Sequence, residues 1–294
     1  MKVITLSKRK FENLEPLKLS REVLSTESQV FNFNYQGKEK VIKKLFYQEG
    51  DIFANKLYTL EMLSYNSKYL PDSFCTPDYL ISVSGHIQGF SIPFVDGINL
   101  AELLSNKEIS LEEKKYYLAR VGEILNQLRA IRNCTPLKDI YIGDLHSSNF
   151  IANLDNKKLS VIDLDSCKIK GNKTSVSRYL NDFGLLNNVK GKYHFITDGS
   201  EPGLVKADEN TDLYCYCIML LSFLYGRGVD SLSLEEYYNY LEYLKKIGIN
   251  TGLIDAFANL VSNKNNSNPG PFVESLNEEQ VCRAKSYVYN KVRK

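Results

Sequence analysis

The chain has 294 residues, 43% of them hydrophobic, enough to bury a large core and to divide into two domains. Its 37 basic and 35 acidic residues leave a net charge of +2, which demands neither nucleic acid nor a membrane surface as partner. Six scattered cysteines with no C-x-x-C pair, and only three histidines, argue against a zinc site and for reduced thiols in a cytoplasmic protein.

Met1 to Lys10 is charged and lacks an apolar run long enough for a secretory signal. Residues 21–47 read as β structure. Val30 to Tyr35 alternates apolar and polar, Gln36-Gly37-Lys38 marks a turn, and Lys40 to Tyr47 returns as a second strand. Asp51 to Tyr65 carries apolar residues at helical spacing. Strands are expected at Tyr79–Val83 and Ile87–Phe94, joined across Ser84-Gly85. From Leu100 the pattern turns helical, with helices expected over Leu111–Ile131, Asp212–Tyr225, Leu234–Ile247, Leu253–Val261 and about Asn277–Val292; Asn265 to Gly270 breaks the last two apart. The longest apolar stretch, Leu213 to Tyr225, is too short to span a bilayer and reads as a buried core helix. Strands with one helix first and a helical half after predict an α+β architecture in two lobes. The boundary falls near Val95-Asp96-Gly97, giving residues 1–95 and 96–294, with a ligand cleft at the junction.

The chemistry concentrates between Ile142 and Asp165, which reads I-G-D-L-H-S-S-N-F-I, a short polar insert, then V-I-D-L-D. Asp144 is followed after five residues by Asn149 and after fourteen more by Asp163. A carboxylate, a carboxamide and a second carboxylate at these intervals suit phosphoryl transfer from a metal-bound nucleotide. One carboxylate takes the acceptor's proton, while the amide oxygen and the other carboxylate hold Mg²⁺.

This segment resembles the catalytic loop and metal-binding strand of the protein-kinase-like superfamily. The resemblance implies a bilobal kinase-like fold with Asp144 as catalytic base and Asn149 and Asp163 as magnesium ligands. His146 would contact phosphate or orient the loop. Val41-Ile42-Lys43 resembles the strand whose lysine holds the ATP phosphates, with Lys44 as the alternative register. Glu61 lies at the familiar distance for the partner glutamate, whereas helical periodicity aligns Lys56 with that position. Ser25 to Val30, with Ser25 and Ser28, stands where the family has its glycine-rich phosphate loop, but has no glycine and carries Glu27. Ile92 to Leu100 resembles the interlobe hinge and puts Phe94 beside the base. Asp212 opens the apolar helix as an N-cap and, in the family, also braces the catalytic loop.

Two departures matter. Ile142-Gly143 replaces the usual His-Arg, and Leu164-Asp165 replaces Phe-Gly, leaving Asp165 as a metal assistant or a cap. Residues Ser166 to Asp208, with Lys168, Lys170, Lys173 and Arg178, fill the place of the activation segment, and Glu201-Pro202-Gly203 is a poor substitute for A-P-E. The expectation is an ATP- and Mg²⁺-dependent Ser/Thr protein kinase acting on a protein substrate. The alternatives are a pseudokinase serving as a nucleotide-binding or scaffold module, and a small-molecule phosphotransferase of the aminoglycoside or choline type.

Overall fold

In the computed structural model the described residues are 1–17, 28–46, 48–134, 136–169, 174–175, 204–205, 209–229, 232–262 and 269–292. They form a mixed α+β structure in which a five-stranded sheet comes first and helices dominate after residue 100.

The sheet contains β1 (Lys2–Leu6), β2 (Ser28–Tyr35), β3 (Lys38–Leu45), β4 (Tyr79–Val83) and β5 (His86–Pro93), in the order β1-β4-β5-β3-β2. Helix α1 (Lys8–Glu12) follows β1, and α2 (Gly50–Tyr65) follows β3. Both hairpins turn on two residues with positive φ, Gln36-Gly37 (53° and 75°) and Ser84-Gly85 (52° and 84°). Such turns match the right-handed twist of the paired strands, which is why Gly occupies the second place in each. Strand β1 was not expected. It pairs parallel with β4 and brings Ile4 and Leu6 beside Phe33, Ile42 and Ile81.

Alternation along β3 sorts the two faces of the sheet. Ile42 points into the cluster with Ile4, Phe11 and Ile81, while Val41 and Leu45 join Leu60, Leu80, Phe90 and Ile92 on the face covered by α2. Lys43 shares this second face. The backbone of β3 passes so close to β5 that a Cβ on Gly89 would lie 2.2 Å from the Lys43 carbonyl oxygen, so only glycine fits there.

After Pro93 the chain joins β6 (Ile98–Asn99), which pairs with β7 (Phe150–Asn153) and through it with β8 (Lys158–Val161). The crossing is tight. A Cβ on Gly97, whose φ is 141°, would lie 2.4 Å from the Ala152 carbonyl oxygen, and Asn153 Nδ2 donates to the Asp96 carbonyl at 3.2 Å. Helices α3 (Leu100–Ser105) and α4 (Leu111–Cys134) precede β7. Two short strands, β9 (Thr174–Ser175) and β10 (Leu204–Val205), pair antiparallel. Helices α5 (Glu209–Tyr225), α6 (Leu234–Lys246), α7 (Thr251–Ser262), α8 (Gly270–Val273) and α9 (Glu278–Val292) complete the chain. Leu213 to Leu221 is buried all round, as an apolar helix without a polar face requires. Among the described residues no helix is long and apolar enough to cross a membrane. Cys75, Cys167, Cys215, Cys217 and Cys282 carry free thiols.

Candidate active site

The loop after α4 is held from three sides. Asp144 N–H donates to the Ile142 carbonyl at 2.8 Å, closing a γ-turn centred on Gly143, whose φ of 74° explains the glycine. That turn aims two successive amides at one carboxylate: Ile142 N–H donates to Asp212 Oδ2 at 3.0 Å and Gly143 N–H to Asp212 Oδ1 at 2.8 Å. Arg132, from the last turn of α4, donates to the Ile140 carbonyl at 2.7 Å, lies 3.4 Å from Asp212 Oδ2 and stacks 4.0 Å from the centre of the Tyr141 ring. Asp212 sits inside the first turn of α5 rather than capping it, because the helix begins at Glu209, and its bracing role is the one the geometry displays. Asp212→Ala would leave two buried amides without their acceptor and should cost about 2–5 kcal/mol, read in a denaturant melt; Asn, which keeps one oxygen, should cost roughly half as much.

The loop closes on itself through Asn149. Its Nδ2 donates to the Asp144 carbonyl at 2.9 Å and lies 3.4 Å from Asp144 Oδ2. The carboxamide oxygen is thereby left as the acceptor end of that side chain. Asn99, the N-cap of α3, donates to the Ser148 carbonyl at 2.7 Å. His146 Nε2 lies 3.4 Å from Asp144 Oδ2, so this histidine bears on the Asp144 carboxylate. Ile162 N–H donates to the Asn149 carbonyl at 3.0 Å, which pins the residue before Asp163 to the loop.

Asp163 faces the sheet. Lys43 Nζ donates to Asp163 Oδ1 at 2.6 Å and to Asp165 Oδ1 at 2.7 Å, and Lys56 Nζ, from α2, donates to Asp165 Oδ2 at 2.7 Å. The register question is therefore answered: Lys43 turns to the carboxylates, and Lys44 lies on the opposite face, 5.1 Å from the Phe11 ring centre. Glu61 is a correction. It is exposed and the structure does not bring it to Lys43. Lys56, Thr59, Leu60 and Leu63 form the buried face of α2, and Glu61, five residues past Lys56, is turned about 140° away from it. The carboxylate that Lys43 would have found on the helix comes instead from Asp165, which sequence reasoning left as a cap or a metal assistant.

The two carboxyls titrate differently because they share one ammonium. For Asp165, burial alone would raise the pKa, but Lys43 and Lys56 outweigh it and hold the carboxyl well below its usual range. For Asp163, burial and the neighbouring Asp165 charge push the pKa up to about 7 against the pull of Lys43. A third of the Asp163 side chain is open to water, at 33% exposure against 3% for Asp165, and that solvation limits the rise. The ordering, Asp165 ionised well before Asp163, is what the geometry requires. Burial works against the charge of Lys43 too, yet Asp163 and Asp165 together raise its pKa.

Other expected residues are placed less centrally. Phe94 is 40% exposed and its N–H is taken by the Glu39 carbonyl at 3.2 Å, so a base would meet its ring or carbonyl, not its amide. Ser28 is buried at the start of β2, opposite Leu45. Ser25, Glu27, Lys170, Lys173, Arg178 and Glu201-Pro202-Gly203 lie outside the described residues. Lys168 is buried, 5.0 Å from the Tyr141 ring centre, and so is not part of an exposed basic face.

Two open grooves lie elsewhere. One of about 510 Å³ runs between α1 and β2, the other of about 630 Å³ lies beside Lys38, Lys40 and Tyr79, and neither is lined by Asp144, Asn149 or Asp163. The donor set at the loop is a carboxylate and a carboxamide oxygen, both hard ligands, and among the described residues no cluster of three or more His, Cys, Asp or Glu makes a complete metal cage. A carboxylate and a carboxamide oxygen are ligand types that Mg²⁺ accepts. Compared with known proteins, the sequence matches no family model and no curated protein.

Proposed function

We propose that this chain is an ATP- and Mg²⁺-dependent phosphotransferase of protein-kinase-like architecture, acting on a protein Ser or Thr hydroxyl. The observation that carries the reading is the 2.6 Å contact between Lys43 on the sheet and Asp163 beside the Asp144–Asn149 loop. It brings together an ammonium suited to phosphate and a carboxylate suited to a metal, next to the segment that Ile162 N–H ties to the Asp144–Asn149 loop. Val30, Val41, Val95 and Ile162 belong to the apolar cluster on the Lys43 face of the sheet and suit a stacked base. The acceptor class rests on the sequence alone, where Lys170, Lys173 and Arg178 stand beside the hydroxyls of Thr174, Ser175 and Ser177.

When bound, the magnesium nucleotide supplies the phosphoryl group and the charge that offsets its oxygens. Asp144 receives the proton of the acceptor hydroxyl, its carboxylate oriented by Asn149 Nδ2 and His146 Nε2, both 3.4 Å from Oδ2. Asp163 and the Asn149 carboxamide oxygen would hold the cation. Lys43 donates to phosphate oxygens, and Asp212 keeps the loop's backbone fixed so that Asp144 reaches its partner without rearrangement.

Calorimetric titration with Mg-ATP tests this directly. Asp163→Ala should abolish metal-dependent nucleotide binding, and retained Mg-ATP affinity in that variant sinks the assignment. Lys43→Met should weaken ATP binding by about 10- to 100-fold, the loss of one charge-assisted hydrogen bond, while Lys44→Met should change it little. A second reading, a nucleotide-binding module without transfer, is favoured by one observation: α2 presents a lysine where a carboxylate is usual. Label from γ-labelled ATP entering protein with the native chain, but not with Asp144→Asn, decides for transfer.

A further inference from the structure

We propose that Lys56 and Asp165 are positioning residues for the transfer: they keep Lys43 at the nucleotide and leave Asp163 open to the cation. The inference rests on the phosphotransferase reading. Each oxygen of Asp165 takes one ammonium, Oδ1 from Lys43 and Oδ2 from Lys56, both at 2.7 Å. The three side chains are 3%, 9% and 6% exposed, against 33% for Asp163. Asp165 is therefore the closed side of the cluster and Asp163 the open side, with Lys43 between them.

Helix α2 is tied to the same segment a second time. Thr59, three residues past Lys56 and on the same face, has its hydroxyl shared between the Asn55 carbonyl of its own helix, at 3.1 Å, and the Cys167 carbonyl, at 3.2 Å. The ammonium and the hydroxyl dock α2 onto residues 165–167 independently of any carboxylate on the helix.

Charge shows what the arrangement does. Two ammoniums face two carboxyl groups. When Asp163 is engaged by a divalent cation, Lys43 keeps Asp165, and Asp165 keeps Lys56. Without Asp165, the carboxylate left to Lys43 among the described residues is Asp163, the group the cation needs. Lysine and metal then compete for it.

The test uses the full chain, titrated with ATP over a series of Mg²⁺ concentrations, with transfer rates measured alongside. Native protein is compared with Asp165→Asn, Lys56→Met, Lys56→Arg and the double variant Lys56→Met/Asp165→Asn. The double variant removes both charges of one buried pair, so it keeps a folded reference if a single variant does not fold. Asp165→Asn, Lys56→Met and the double variant should need about 10- to 100-fold more Mg²⁺ for half-saturation, with kcat/KM falling in step, and Lys56→Arg should keep the native Mg²⁺ dependence. If the double variant melts lower but keeps the native Mg²⁺ dependence and kcat/KM, the pair is structural only and the proposal fails. Native protein that does not bind Mg-ATP at all removes the phosphotransferase reading, and this inference with it.

Discussion

Replacing Asp144 by Asn should lower the rate of phosphoryl transfer by about 10²- to 10⁴-fold, the range spanned by a positioned general base. Affinity for Mg-ATP should stay close to native. The separation of the two effects follows from the geometry. Asp144 lies at the tip of a loop whose shape is maintained by other groups: the γ-turn at Gly143, the Asp212 carboxylate below it and the Asn149 amide across it. An Asn side chain is nearly isosteric and leaves those bonds in place, so what disappears is the basic oxygen. A variant that loses nucleotide affinity as steeply as rate would make Asp144 a ligand instead of a base, and an unchanged rate would remove it from the chemistry.

The largest effect on stability is expected at Asp165. Asp165→Ala leaves Lys43 and Lys56, 9% and 6% exposed, without the carboxylate they share. Breaking a buried ion pair by removing one partner typically costs about 3–5 kcal/mol, because the remaining charge has lost its compensation in a poorly hydrated place. For a chain of this size that corresponds to a fall in melting temperature of roughly 5–8 °C. Asp163→Ala should cost less, since its side chain is a third exposed and Asp165 still serves Lys43. The combination Lys56→Met with Asp165→Leu replaces charge by apolar volume and should recover much of the loss. Acid acts on the same group. Asp165 is held well below the usual carboxylate range, so its contribution is complete above the unfolded-chain pKa of about 3.9 and is lost as the pH falls toward its folded value. Asp163 has the opposite sign: its raised pKa means that stability declines as the pH climbs from about 4 through 7.

Much of this arrangement was legible in the residues, for reasons that differ from group to group. The Gln36-Gly37 and Ser84-Gly85 turns announce themselves because only a few residue types tolerate positive φ at two successive positions. Asp144, Asn149 and Asp163 stand out because their spacing is local, and the loop that joins them is short. Lys43 could be separated from Lys44 only by the register of β3, which the buried Val41 and Leu45 settle together. Strand β1 escaped because parallel pairing with β4, more than seventy residues away, leaves no local mark on a five-residue segment rich in charged neighbours. Glu61 was favoured by its distance along the chain from Lys43, whereas the face of α2 is set by angle around the helix, and that angle selects Lys56. Asp165 hid in plain view, since an aspartate four residues beyond a strand end has an ordinary use as a cap. Its partner on α2 is 109 residues away, and no local pattern connects them.

That separation has a consequence for the order in which a ribosome delivers the chain. The sheet and α2 are complete by residue 93, with Lys43 and Lys56 already facing inward, but their counter-charges are not made until residues 163 and 165. During that interval two ammoniums occupy an apolar face with no carboxylate to meet them, which burial penalises heavily. The first part of the chain should therefore remain loosely packed as it emerges, and acquire its final form only once the segment carrying Asp165 has been synthesised and has closed onto it.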